Sequence, residues 1–313
     1  MRKLLLVALC LHLPWSFAHQ GHEPNRPMSF DTLLRTYHWD FETTEIETQA
    51  INDKLHVLFG VGGNLLVSIG QDGVLIVDDQ FPEMVPKIKK SVNELGGVAI
   101  DFVINTHWHF DHADGNVMLG PEGAWLVSQS NSRDMMQQDR LIDFGNGAYL
   151  QKAYPAAAWS DITFDEAMQF HFNGERIELK HYGPAHTAGD AVVIFREANV
   201  IHMGDVFGSS SYPIIDTENG GSLDGIINFC RSALKAINKD TIVVPGHGVV
   251  SSYNDLADYT DMLSTIRERI ARLIAQGASL EDIYAAEVTK DWQHKRPNPS
   301  GFINRAYMSL VHQ

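Results

Sequence analysis

Ile100-Asp101-Phe102-Val103-Ile104-Asn105 runs directly into Thr106-His107-Trp108-His109-Phe110-Asp111-His112. The first stretch is a short, mostly apolar run that reads as a buried strand. The second places four metal-capable side chains, His107, His109, Asp111 and His112, within six positions. On an extended backbone His107 and His109 point to the same side, and a turn after Phe110 lets Asp111 and His112 face a neighbouring point. One loop can therefore feed two adjacent metal ions. Imidazole and carboxylate together suit a borderline-soft divalent ion such as zinc and make a poor calcium site. A single histidine after a strand is ordinarily a satisfied core or surface residue; four ligand types packed this closely are not explained that way.

Upstream of this loop, Leu55 to Gly60, Asn64 to Ile69 and Val74 to Asp78 are short β-rich segments. Gly62-Gly63 and Gln71-Asp72-Gly73 separate them as hairpin signals, which predicts an antiparallel meander. Pro82 to Leu95 has helical periodicity and Gly96-Gly97 stops it. Downstream, Ala124 to Val127 reads as a strand and Ser130 to Leu141 as a polar helix. Asp143 to Asp161, with little periodicity, reads as a surface excursion whose Tyr149, Tyr154 and Trp159 cover core. A second half repeats the plan: Met168 to Phe172, Ile177 to His181, Ala191 to Phe195 and Val200 to Met203 as strands, Leu223 to Ile237 as a helix, Thr241 to Val244 as a last buried strand. Tyr253 to Gln276, Leu280 to Ala286 and Phe302 to Val311 are helical, and Ile303, Tyr307 and Leu310 mark a packed face. Three more ligand types stand in Gly- or Pro-containing loops after predicted strands: His186 in Gly183 to Asp190, Asp205 in Met203 to Phe207, and His247 in Val244 to Gly248.

Composition bounds the function. The chain has 313 residues, 44% of them apolar, which is enough to bury a substantial core. With 24 Lys and Arg against 39 Asp and Glu, its formal charge is −15, which argues against a nucleic-acid partner. No apolar run reaches the roughly 18 to 20 residues of a bilayer span, so no membrane anchor is expected. Arg2 and Lys3, the apolar stretch Leu4 to Leu13 and Ser16-Phe17-Ala18 have the order of a signal peptide, predicting a mature start at His19 and a periplasmic or secreted protein. Its removal takes two basic residues and moves the charge from −15 to −17. Cys10 goes with it, leaving Cys230 and no internal disulfide. His19 and His22 read as a solvated tail. The expected organisation is residues 1–18 as signal peptide, 19–250 as one catalytic domain, and 251–313 as helices packed on that domain.

The ordered set His107, His109, Asp111, His112, His186, Asp205 and His247 resembles the metallo-β-lactamase-fold hydrolase superfamily, over about Leu55 to His247. The resemblance implies a four-layer αββα sandwich, here with a C-terminal helical extension, and metals at one edge of its two sheets. It implies that His107, His109 and His186 bind one Zn²⁺, that Asp111, His112 and His247 bind a second, and that Asp205 bridges them. Hydroxide between two such ions would attack an ester, thioester, amide or lactam carbonyl of a small-molecule substrate. Asp111 would also orient it or shuttle a proton to the leaving group. Asp78 resembles a family position that supports the metal loop, and reads equally as a turn residue beside Asp79. Trp108 and Phe110 wall a substrate slot or pack beneath the loop, and Gly60 to Asn64 is expected to border the slot.

At the bridging position dedicated β-lactamases generally carry Cys or Ser, whereas Asp205 is similar to the thioester hydrolases and phosphodiesterases of the superfamily. No C-terminal Lys-Arg cluster matches the glutathione pocket of glyoxalase II, and a full second ligand set differs from the single-iron dioxygenase branch. Export suits the alternative of a true β-lactamase. A non-catalytic zinc-binding protein is the second alternative, although three protein ligands per ion plus a shared Asp205 leave room for water, as catalytic sites do.

Overall fold

Along the central strands, apolar side chains alternate between two buried environments rather than between core and water. Val57, Leu66, Leu75, Val77, Ile104 and Val127 meet Ile177, Leu179, Val193, Phe195, Val200 and Val244 in one cluster. Their chain neighbours Leu58, Val67, Ile76, Val103 and Leu126 belong to a second cluster, and Ile194, Ile201 and Val243 to a third. A period of two with both faces apolar is what two stacked sheets, each covered outside by helices, require.

The computed structural model describes residues 26–311. In chain order these are β1 (Pro27–Met28), α1 (Phe30–Tyr37), β2 (Glu47–Ala50), β3 (Leu55–Phe59), β4 (Leu65–Gly70), β5 (Gly73–Val77), α2 (Val85–Glu94) and β6 (Phe102–Ile104). There follow α3 (Phe110–Ala113), α4 (Asn116–Glu122), β7 (Trp125–Gln129), α5 (Ser130–Met136), β8 (Arg140–Asp143), β9 (Ala148–Gln151) and β10 (Ile162–Phe164). The second half holds β11 (Ala167–Phe172), β12 (Glu175–Lys180), β13 (Val192–Phe195), β14 (Val200–His202), α6 (Leu223–Ala236), β15 (Ile242–Val244) and β16 (Ser251–Ser252). Three helices end the chain: α7 (Tyr253–Ala275), α8 (Leu280–Ala285) and α9 (Ser300–Val311). One sheet has seven strands in the order β10-β7-β6-β5-β4-β3-β2, and the other six in the order β11-β12-β13-β14-β15-β16. Buried residues of α2 lie on the outer face of the first, and those of α6, α7 and α9 on the outer face of the second. This is the four-layer αββα arrangement with a helical C-terminal extension.

The strands that the sequence predicted fall where it placed them, within a residue or two; the edge strands β2, β10 and β16 and the short β1 were not read from it. The region Ser130 to Asp161 differs. The helix stops at Met136, and Arg140–Asp143 pairs antiparallel with Ala148–Gln151, which in turn pairs with Pro27–Met28 in a small third sheet. Far from being a surface excursion, this hairpin buries Asp143, Phe144, Gln151 and Tyr154. These two short strands mix polar and apolar residues and so show neither an apolar run nor a resolvable period. The signal peptide, Cys10, His19 and His22 lie outside the described residues. Among those described, no helix is long and apolar enough to cross a membrane.

Register explains why distant residues meet. Val77 pairs parallel with Ile104, and His202 pairs parallel with Val244. His107, Asp205 and His247 each stand three positions beyond their strand's end at Ile104, His202 and Val244. β13 runs antiparallel to β14, so the loop before it, carrying His186, emerges at the same edge. Ligand sites of open sheets gather outside the carboxyl ends of their parallel strands for this reason.

Candidate metal centre

All seven side chains singled out by the sequence converge at that edge. Their ligand atoms form three mutually close groups: His107, His109 and His186; His107, His112 and Asp205; and Asp111, His112 and His247. His186 Nε2 lies 2.9 Å from His109 Nδ1, and His112 Nε2 lies 3.2 Å from His247 Nε2. Asp205 stands between the two sets, with Oδ1 3.0 Å from His112 Nε2 and 3.4 Å from His247 Nε2, and Oδ2 3.8 Å from His186 Nε2. Asp111 Oδ2 is 3.1 Å from His247 Nε2.

What surrounds the imidazoles fixes which nitrogen points inward. His112 Nδ1 donates to Asp78 Oδ2 at 2.7 Å, His186 Nδ1 donates to the Ile214 carbonyl at 2.8 Å, and His109 Nε2 donates to Asp216 Oδ2 at 2.9 Å. Thr106 Oγ1 donates to Asp78 Oδ2 at 2.9 Å and stands 3.1 Å from His107 Nδ1, whose proton it can accept. The opposite nitrogen of His107, Nε2, is fully buried and has no hydrogen-bond partner. An orphaned buried acceptor is uncommon and calls for an explanation. Imidazoles anchored on one nitrogen, with the other aimed at a common point beside two carboxylates, are the donor set a divalent transition metal takes, and the outer partners are those that set ligand tautomer and orientation. The residues fit such ions.

Charge tells the same story. Desolvation together with His112, His109 and His186 holds His107 well below the usual histidine range, so its lone pair is free. Burial would lower His112 as well, yet Asp205, Asp111 and Asp78 outweigh it and hold the ring well above that range. Desolvation and the carboxylates Asp205 and Asp111 oppose each other at His247 in the same way, and the carboxylates prevail. Burial would raise Asp205, but His247 and His112 hold it far below the ordinary carboxylate range. Divalent ions held by these side chains would displace the protons on His112 and His247, so their uptake would weaken as pH falls.

Local backbone supports this. Asp78 and Gln80 adopt left-handed conformations with φ of 61° and 57°, a strain of order 1–3 kcal/mol for a non-glycine residue. It aims Asp78, which also accepts from the Thr106 amide at 2.7 Å, at the base of the histidine loop. Gly63 is required because a Cβ there would enter the His112 ring. The loop Gly60 to Asn64 thus backs the centre instead of bordering the slot: its Gly63 amide donates to the Asp111 carbonyl at 2.9 Å, and Asn64 Nδ2 donates to the Pro245 carbonyl at 3.0 Å beside His247. Trp108 is buried beneath the loop, where Gln151 and the Tyr154 hydroxyl both donate to its carbonyl at 3.1 Å.

A cleft of about 380 Å³ opens over the centre and is lined by His109, Phe110, Asp111, Asp205 and His247. Its remaining walls come from Tyr37 and Trp39, from Phe144 and Asn146, from residues 210–214, and from Pro297 to Arg305. That volume is within the range of small-molecule sites. Sequence reasoning missed these walls and two supports. Asp216 is a lone acid in an irregular stretch, with no pattern to mark it. His202 was read only as a strand residue; it accepts from the Gly204 amide at 3.2 Å and donates to the Asn64 carbonyl at 2.9 Å, tying the Asp205 and Asn64 loops together.

Two sheets packed face to face, helices outside, and a His/Asp cluster at the strand ends define a metallohydrolase-type fold. The chain belongs to the metallo-beta-lactamase superfamily, whose family model matches residues 64–247. It is 25% identical over 222 residues to the lactamase-like protein aptB of Emericella nidulans, an alignment covering 71% of this chain and 60% of that protein. Among solved structures, a metallo-beta-lactamase from Pontibacter korlensis superposes with a TM-score of 0.58 at 17% identity, over 70% of this chain and 99% of that one. The stereoselective inverting sec-alkylsulfatase Pisa1 from Pseudomonas sp. superposes with a TM-score of 0.64 at 14% identity, over 84% of this chain and 50% of that one. At these identities the likeness shows the fold.

Proposed function

We propose that the protein is an exported hydrolase that holds two zinc ions and cleaves a carbonyl-type bond, ester, thioester or amide, in a small molecule. The observation that carries this is the inward convergence of five imidazoles around Asp205, with His107 Nε2 buried and unpartnered. His107, His109 and His186 would hold one ion, Asp111, His112 and His247 the other, and Asp205 would touch both. Ions held there supply Lewis acidity and acidify water near neutral pH. The chain does the rest. Asp78 and Asp216 keep His112 and His109 in the tautomers that face inward. The Asp111 carboxylate opens to the cleft, within reach of a proton passing to a leaving group. Phe110, Trp39 and Phe302 reduce the water above the centre, which strengthens every electrostatic contact within it. The order Arg2-Lys3, apolar run and Ala18 supports export, and Asp205 in place of Cys or Ser favours a substrate other than a β-lactam.

The test is to load the purified protein with Zn²⁺, count bound metal, and assay an ester, a thioester and a β-lactam with and without chelator. Turnover that disappears with chelator and returns with Zn²⁺, at two ions per chain, is expected. Full metal loading with no turnover of any of the three would leave a zinc-binding protein and overturn the hydrolase reading.

A further inference from the structure

Part of the cleft wall comes from outside residues 64–247, from Tyr37 and Trp39 on one side and from Pro297 to Arg305 on the other. Tyr37 and Trp39, at and just beyond the end of α1, stack with ring centroids 4.9 Å apart, and Trp39 sets its edge against Phe110 at 6.1 Å. Phe302 on α9 stacks almost parallel on Tyr212, 4.8 Å between centroids and 9° between planes. Apart from the metal-facing residues, Arg305 is the one charged side chain among the described residues that line this space.

Arg305 does not face the cleft as a free cation. Its side chain is 1% exposed, and each of its three nitrogens meets a protein oxygen. Nε donates to the Ile215 carbonyl at 3.5 Å, Nη1 lies 3.5 Å from Asp143 Oδ2, and Nη2 donates to the Thr217 hydroxyl and to Glu218 Oε1 at 2.6 Å. A carboxylate entering the cleft away from the metal-facing residues would lose water and find no free cation, only neutral donors such as Asn146, Ser210 and Asn298, which do not offset the cost of desolvating a charge. Aromatic faces, by contrast, offer contact to any ring or bulky alkyl group.

We propose, building on the hydrolase reading above, that the cleft selects uncharged substrates whose acyl part carries an aryl or bulky alkyl group, seated against the Tyr37–Trp39 and Tyr212–Phe302 pairs, and rejects substrates bearing a free carboxylate there. In the reaction water adds across the acyl–oxygen or acyl–sulphur bond, which breaks; the acid keeps the water's oxygen, and the alcohol or thiol leaves with a proton.

The test uses the zinc-loaded full chain and two esters with one leaving group, p-nitrophenyl phenylacetate and its 4-carboxy analogue, together with calorimetric binding of the matching amides, phenylacetamide and 4-carboxyphenylacetamide. A kcat/KM at least tenfold higher for the neutral ester is expected. Trp39→Ala and Phe302→Ala should narrow that ratio, while Trp39→Phe and Phe302→Leu, which keep a large apolar side chain, should restore most of it; circular dichroism checks folding. Equal turnover of both esters, or preference for the carboxylated one, would overturn the proposal and leave the hydrolase reading intact. Tighter binding of the neutral amide with neither ester turned over would keep the selectivity and remove the hydrolase reading. Equal binding of both amides without turnover would remove both.

Discussion

The metal-facing side chains come from the segments that follow hydrogen-bonded strands, all between His107 and His247, whereas Tyr37, Trp39, Phe302 and Arg305, which form part of the cleft wall, come from the end of α1, the residues just beyond it, and α9. In the first region, parallel register places His107, Asp205 and His247 at the same offset beyond their strands, so strand pairing fixes the chemistry. In the second, helix docking fixes the shape. Arg305 ties α9 to Ile215, Thr217 and Glu218, and the Leu223 amide donates to Ser309 Oγ at 3.0 Å, so α9 grips the segment that carries Asp216. On the proposed function, chemistry rests on strand pairing and selectivity on helix docking, with the Asp216 segment as the link between them, and mutations away from that link should separate the two.

The largest expected effect tests the first region alone. His186→Ala or His247→Ala should remove one bound ion and lower kcat/KM on the order of a thousandfold, the scale of losing transition-state electrostatic stabilisation, with the circular dichroism spectrum unchanged. Metal analysis beside kinetics checks both parts. Next, Asp216→Asn keeps the shape but weakens the acceptor for His109 Nε2. Zinc affinity measured against a competing chelator should fall about 10- to 100-fold, the usual consequence of losing a ligand's outer partner. Unchanged affinity would mean that Asp216 has no hold on His109.

Arg305→Met sharpens the contrast from the other side. It removes the guanidinium that meets Asp143 and Glu218, and breaking a buried ion cluster from one side costs about 3 kcal/mol. Denaturant unfolding of the metal-free protein should show that loss while the count of bound zinc stays at the wild-type value. The smallest effect lies outside both regions. Arg196 beside Glu178, at 2.7 Å, holds that carboxyl down from 4.5 to about 2. A group with a depressed folded pKa adds stability that is present above its unfolded value and is lost as pH falls through the folded one. The Glu178 contribution should therefore fade between about pH 4.5 and 2, and Glu178→Gln should flatten that part of the stability curve while leaving zinc binding untouched.

Legibility in the sequence follows the same division. His107 to His112 could be read because four ligand side chains in six positions have no ordinary structural use, and short apolar runs between turn signals marked the central strands of both sheets. Asp216 could not, since one acid between Ile215 and Thr217 is like any loop acid until the fold sets it on His109. Tyr37 and Trp39 were hidden for another reason: α1 is a short helix of eight residues, and nothing in the sequence ties it to a site whose ligands begin at His107. The hairpin of β8 and β9 was lost because its strands, Arg140–Asp143 and Ala148–Gln151, are short and half polar, without the unbroken apolar run that marks β13. Asp78 could be placed at the end of its strand from sequence, but only its left-handed backbone shows it turning toward Thr106 and His112.

The central claim is that two cations are held on either side of Asp205. Anomalous diffraction at the zinc edge from zinc-soaked crystals tests it most directly. The expected result is two peaks roughly 3.5 to 4 Å apart, one against His107, His109 and His186, the other against Asp111, His112 and His247. A single peak, or none at these side chains, would contradict it.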